Sequence, residues 1–154
     1  MQNFLYPVQS RAAVDFLTGL AQHAATPMNL LYGVPPINSR QYYIRAIAVL
    51  AKENFGPELN FFSTADGNTT DPATNTFLSK FGFLSSMGEQ IGATGIWNYY
   101  VDGLAIPYRD DDTINTVTPP SLHVILQNIS ATAKSADGAG AVTVTVWLEP
   151  MSAF

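Results

Sequence analysis

Few side chains in this chain could carry out covalent or acid–base chemistry. There are two histidines, His23 and His123, and no cysteine. Thiol catalysis, a zinc knuckle and a disulfide framework are therefore excluded. His23 falls near the end of an expected helix, where a cation suits the negative end of the dipole, and His123 alternates with apolar residues in an expected strand. Both read as structural. No His-x-His or His-Glu-x-x-His spacing is present to supply a metal ligand set, no Gly-x-Ser-x-Gly elbow marks a nucleophile, and no glycine loop ends in Gly-Lys-Ser/Thr. The chain reads as a non-enzyme without a cofactor. Two acidic loops hold hard oxygen ligands: Asp66, Asn68 and Asp71 around Gly67, and the run Asp110, Asp111 and Asp112. Calcium takes six to eight such oxygens, but Asp and Asn also serve turn geometry, and that plainer reading is preferred for both loops. Unchanged thermal unfolding on adding EDTA would remove the metal idea.

Aromatic residues are the more informative class. Tyr42 with Tyr43, Phe61 with Phe62, and Tyr99 with Tyr100 are adjacent, with Trp97 and Trp147 nearby in expected strands. Neighbouring residues of a strand face opposite sides of a sheet, so one of each pair must face something other than the core. An outward aromatic row can stack on sugars, as in a lectin-like module, or anchor a subunit interface, where Tyr and Trp are enriched and charge is depleted. Composition favours the interface. Of 154 residues, 47% are apolar and only 12% charged, against about 25% in an average globular chain. With 7 basic and 12 acidic residues and a net charge of -5, no basic stripe exists to neutralise a run of phosphates. Direct nucleic-acid binding is not expected.

The elements that must position these residues follow from hydrophobic period. Arg11 to Ala25 places Ala13, Phe16, Leu17, Leu20 and Ala24 at helical spacing behind Ser10 as an N-cap. Arg11 is the only Lys or Arg on its polar face, which gives membrane contact no support, so Phe16 and Leu20 are expected to dock on the domain or on a partner subunit. Pro27 to Ser39, with Gly33, Pro35 and Pro36, reads as a linker or an extended crossing. The opening residues lack a basic n-region and a long apolar stretch, so no signal peptide is expected.

Beyond the linker the period changes to two. Gln41 to Leu50 reads as a strand that is apolar on both faces, followed by Leu59 to Thr64 and by one or two strands in Phe77 to Ser85. Ile96 to Tyr108 reads as a hairpin turning at Asp102-Gly103, with Pro107 implying an edge. Leu122 to Ile129 and Ala141 to Glu149 complete the set. Seven or eight strands with one leading helix predict an all-β fold, an antiparallel eight-stranded jelly-roll β-sandwich or barrel with an N-terminal helix. The expected division is 1–40 as helix and extended arm, 41–150 as the jelly roll and 151–154 as a tail.

Leu122-His123-Val124-Ile125-Leu126-Gln127-Asn128-Ile129-Ser130, a small-residue loop and Val142-Thr143-Val144-Thr145-Val146-Trp147-Leu148-Glu149-Pro150 together resemble the closing strand pair of viral single jelly-roll capsid proteins. The likeness covers 41–150 as an architecture and the last 30 residues as a pattern. It implies a coat subunit without catalytic residues, located in the virion, assembled in the host cytoplasm, and partnered by copies of itself and other capsid proteins. RNA-packaging coats of this kind carry a basic N-terminal arm, whereas this chain opens with a neutral segment. A coat or vertex protein of a double-stranded DNA virus, such as a membrane-containing phage, is the nearer match. The expected interface residues are Phe16, Leu20, Tyr42, Tyr43, Trp97, Tyr99, Tyr100 and Trp147. The competing expectation is a carbohydrate-binding β-sandwich, a phage adhesin or lectin-like module.

Overall fold

The structure is a computed structural model that describes residues 6–9, 25–31, 41–64, 77–111, 121–129 and 142–151. Strand periodicity in the sequence is realised as ten strands: β1 (Tyr6–Gln9), β2 (Ala25–Leu31), β3 (Gln41–Ala51), β4 (Pro57–Phe62), β5 (Phe77–Gly82), β6 (Glu89–Gln90), β7 (Trp97–Val101), β8 (Ile106–Arg109), β9 (Ser121–Asn128) and β10 (Val142–Pro150). Among the described residues a 3-10 turn, Ser85–Met87, precedes β6. All described pairings are antiparallel. The larger sheet has the order β1-β10-β3-β7-β6, with β8 also paired to β3, and the smaller has β2-β9-β4-β5. Strands β7 and β8 follow one path along β3, and β6 is two residues long. Renumbered with β7 and β8 as one strand and without β6, the order is 1-8-3-6 in one sheet and 2-7-4-5 in the other, with consecutive strands crossing between the sheets except for the paired β4 and β5. That is the paired Greek-key wiring of a jelly roll.

The core lies between the sheets. Ile44, Ile47, Val49, Val144, Val146 and Leu148 of the larger sheet face Leu59, Phe61, Leu122, Val124 and Leu126 of the smaller, all fully buried. Each such side chain contributes roughly 1.5–3 kcal/mol of transfer free energy, which offsets part of the entropy lost on folding. Two tyrosine hydroxyls tie connections to this core. Tyr99 Oη accepts from the Phe55 N–H at 2.9 Å and donates to Asn54 Oδ1, while Tyr108 Oη on β8 accepts from the His123 N–H on β9 at 3.0 Å.

Three sequence expectations are corrected. First, Asp102-Gly103 is no hairpin turn. Strands β7 and β8 both run antiparallel to β3, β7 along Ile47–Ala51 and β8 along Gln41–Ile44. The chain therefore continues in one direction through an interruption where Gly103 takes φ +68°. The Asp-Gly pair supplies the left-handed backbone that a hairpin needs, but the same geometry serves a bulge. Second, β3 does not alternate strictly. Ala46 pairs with Trp147 and Ile44 with Leu148, which leaves Arg45 as an extra residue in a β-bulge. The bulge shifts phase, so Tyr42, Ile44, Ile47, Val49 and Ala51 are all buried on one face. The strand looked apolar on both faces because two out-of-phase halves were counted as one. Third, Pro27 opens no linker there, since Pro27 to Leu31 belong to β2.

Strands β1 and β2 come from the stretch read as helix and arm. Both are sheet edges with one pairing partner each, and Pro7 and Pro27 sit on them, the positions in a sheet where proline is tolerated. Pro107 on β8 occupies an edge as expected, while Pro57 and Pro150 begin β4 and end β10. The helix expected over Arg11 to Ala25 lies outside the described residues, apart from Ala25, which begins β2.

Candidate functional site

The expected interface residues separate by face. Tyr42 and Tyr99 are fully buried in the core, so neither can meet a partner. Trp97 is half-buried and packs against the core from the end of β7. Tyr43, Tyr100 and Trp147 lie on the outer face of the larger sheet, with Tyr100 52% exposed. Phe16 and Leu20 lie outside the described residues. Register explains the division: Tyr99 pairs with the buried Val49 and Tyr100 with Ala48, so the adjacent tyrosines take opposite faces.

A groove of about 540 Å³ opens on that outer face. Ala46 and Ala48 on the central strand β3 carry no bulk, so the large side chains of the flanking strands lean over it. Trp147, opposite Ala46, and Tyr100, opposite Ala48, meet with ring centroids 6.1 Å apart at 86°. One rim of the groove is the Arg45 bulge and the facing break at Asp102 to Leu104. Arg45 is held in place: Nε donates to Glu149 Oε2, Nη1 donates to the Leu104 carbonyl at 3.1 Å, and the guanidinium lies 4.8 Å from the Tyr43 ring centroid. The Leu104 N–H returns a bond to the Arg45 carbonyl at 3.0 Å. Bulges re-aim side chains in this way.

A second surface is apolar. Leu84, Met87, Ile91 and Ile96 are exposed in the connection from β5 to β7, Leu84 at 64%. Glu89 is the one charged residue in 84–96. This segment is nonetheless well formed: Ile91 donates to the Ile96 carbonyl at 2.8 Å, closing the turn between β6 and β7. Sequence reading missed it because it sought aromatic pairs, although four large apolar residues spaced among small ones were visible there.

Among the described residues no group of three or more His, Cys, Asp and Glu side chains could hold a metal. Asp66, Asn68, Asp71 and Asp112 fall outside the described residues. Of the second acidic run, Asp110 is buried with its carboxylate 3.5 Å from His123 Nε2, and Asp111 pairs with Arg109 at 2.9 Å. Both carboxylates thus have side-chain partners within the fold, and His123 is buried. Among the described residues no helix is long and apolar enough to cross a membrane.

No protein-family model matches the chain, and no curated protein matches it in sequence. Among solved structures it shares low similarity with the tobacco streak virus coat protein, at 12% identity and TM-score 0.36 over 97% of this chain and 90% of that one. A dimer of that coat protein gives 12% identity and TM-score 0.33, covering 97% and 88%. A chain from the structure of deformed wing virus, a honeybee pathogen, gives 8% identity and TM-score 0.34, with 98% of this chain and 45% of that one covered.

Proposed function

We propose that this chain is a coat subunit of a viral shell, built to associate with copies of itself. The supporting observation is that four large apolar side chains, Leu84, Met87, Ile91 and Ile96, are exposed on a jelly-roll framework within one hydrogen-bonded connection that carries a single charge, Glu89. Jelly rolls serve viral capsid and lectin domains alike, and fold alone does not select between them. The exposed apolar turn does bear on the choice. A monomer gains nothing from holding four large apolar side chains in water, whereas a closed symmetric assembly buries such a surface once per contact. The shortage of charge across the chain supports several contacts of this kind, each individually weak. Seven scattered basic residues against twelve acids fit a shell in which this chain does not hold the packaged genome, as in the double-stranded DNA virus reading. The subunit would reside in the virion.

Light scattering and electron microscopy of the purified chain test the proposal. At micromolar concentration it should form defined oligomers or particles, and Leu84→Glu or Ile91→Glu should disperse them while the fold persists. A species that stays monomeric over a wide range of concentration and salt would overturn it.

A further inference from the structure

We propose that the groove between Tyr100 and Trp147 is a binding site for a neutral saccharide. Its composition differs from the apolar surface proposed for assembly. Two rings at 86° form a corner, and the electron-rich face of either ring attracts the C–H face of a sugar. Around that corner stand groups of both hydrogen-bonding senses. An arginine has five N–H donors, and among the described residues Arg45 uses two of them, for Glu149 and for the Leu104 carbonyl. The Asp102 carboxylate, the Tyr100 hydroxyl and the Trp147 indole N–H have no hydrogen-bond partner among the described residues. Sugar hydroxyls both donate and accept, so they can use this mixture.

Charge narrows the ligand class. Arg45 and Glu149 neutralise each other, which leaves Asp102 as the net charge of the groove, on a chain of net charge -5. Phosphates, nucleotides and acidic sugars are repelled by that field. An apolar side chain from a second copy is also a poor occupant, because it would strip water from Arg45, Glu149 and Asp102 without replacing its hydrogen bonds. The volume, about 540 Å³, lies within the roughly 300–1,000 Å³ of small-molecule sites. The three contacts on Arg45 preorganise the polar rim, which reduces the ordering cost of binding.

The test uses the intact chain. Saturation-transfer NMR and calorimetry are run with the methyl glycosides of glucose, galactose and mannose and with lactose and cellobiose. Sialyllactose and adenosine monophosphate serve as anionic comparators. At least one neutral saccharide should bind with Kd below about 10 mM, and Tyr100→Ala and Asp102→Ala should each weaken it by about tenfold without lowering the melting temperature. Both positions are exposed, so the variants should fold. No neutral binding up to that concentration would overturn the proposal, as would equal or tighter binding of the anionic comparators, or neutral binding that survives both substitutions. Loss of oligomers in Tyr100→Ala with saccharide binding unchanged would assign the groove to self-contact and overturn it as well. Saccharide binding and assembly are read separately, so either proposal can fail alone.

Discussion

Tyr99 and Tyr100 are neighbours on β7 with the same side chain and opposite circumstances. Tyr99 is 0% exposed, its hydroxyl holds Asn54 and Phe55, and its ring lies against Phe55 and Phe83 with centroids 6.1 and 5.8 Å away. Tyr100 is half in water and touches Trp147 across two alanines. The inner face of the larger sheet is therefore crowded and fully partnered, and the outer face is open. The difference teaches that an aromatic count in a strand says nothing about binding until the phase is known.

The comparison can be broken at four points. Tyr99→Ala should cost about 3–5 kcal/mol, the usual range for emptying a large aromatic site in a core, as measured by urea unfolding. Gly88→Ala should cost about 1–3 kcal/mol through overpacking: its Cβ would stand 2.7–2.8 Å from the Tyr99 ring. The two substitutions together should cost less than their sum, because the smaller residue at 99 removes the clash.

Tyr99→Phe should cost about 1–3 kcal/mol by orphaning the Phe55 N–H, and it carries a pH signature. Burial pushes the Tyr99 phenol above its ordinary 10.0, aided by the nearby Glu53 carboxylate and opposed by the Phe55 hydrogen bond. The folded state thus favours the neutral phenol. Its contribution is fully present below pH 10 and is lost as pH rises through the raised value. Alkaline unfolding curves should show this loss in the parent chain and a shallower one in Tyr99→Phe. Tyr100→Ala should change stability by no more than about 0.5 kcal/mol. A loss of several kcal/mol there would mean that the outer face supports folding as strongly as the inner one.

Much of the fold was legible in the sequence. The alternation of Val142, Val144, Val146 and Leu148 located β10 and its core face, and the count of strands pointed to the jelly roll. What misled was local geometry that a single sequence encodes ambiguously. Asp102-Gly103 specifies a positive φ but not whether the chain reverses or steps past a bulge. Pro27 weakens a strand assignment only if the strand is central, and sheet order is a tertiary fact. For the site, the sequence named aromatic residues but not their faces: of the six strand aromatics expected at an interface, Tyr43, Tyr100 and Trp147 point outward. Arg45 and Glu149 were not singled out because they are far apart in sequence, and only the pairing of β3 with β10 joins them.

The bulge at Arg45 separates what the strand needs from what the surface carries. Arg45 and Ala46 together fill the single place opposite Trp147, so the chain before and after them keeps the same partners on β10. In the grammar of the sheet, Arg45 is a supernumerary letter. Removing it would preserve the Cα pairing of every other β3 residue with β10 while erasing the cation from the groove. One residue thus stands outside the pairing code of its own strand, and the chemistry of the outer surface can be rewritten there without respelling the core.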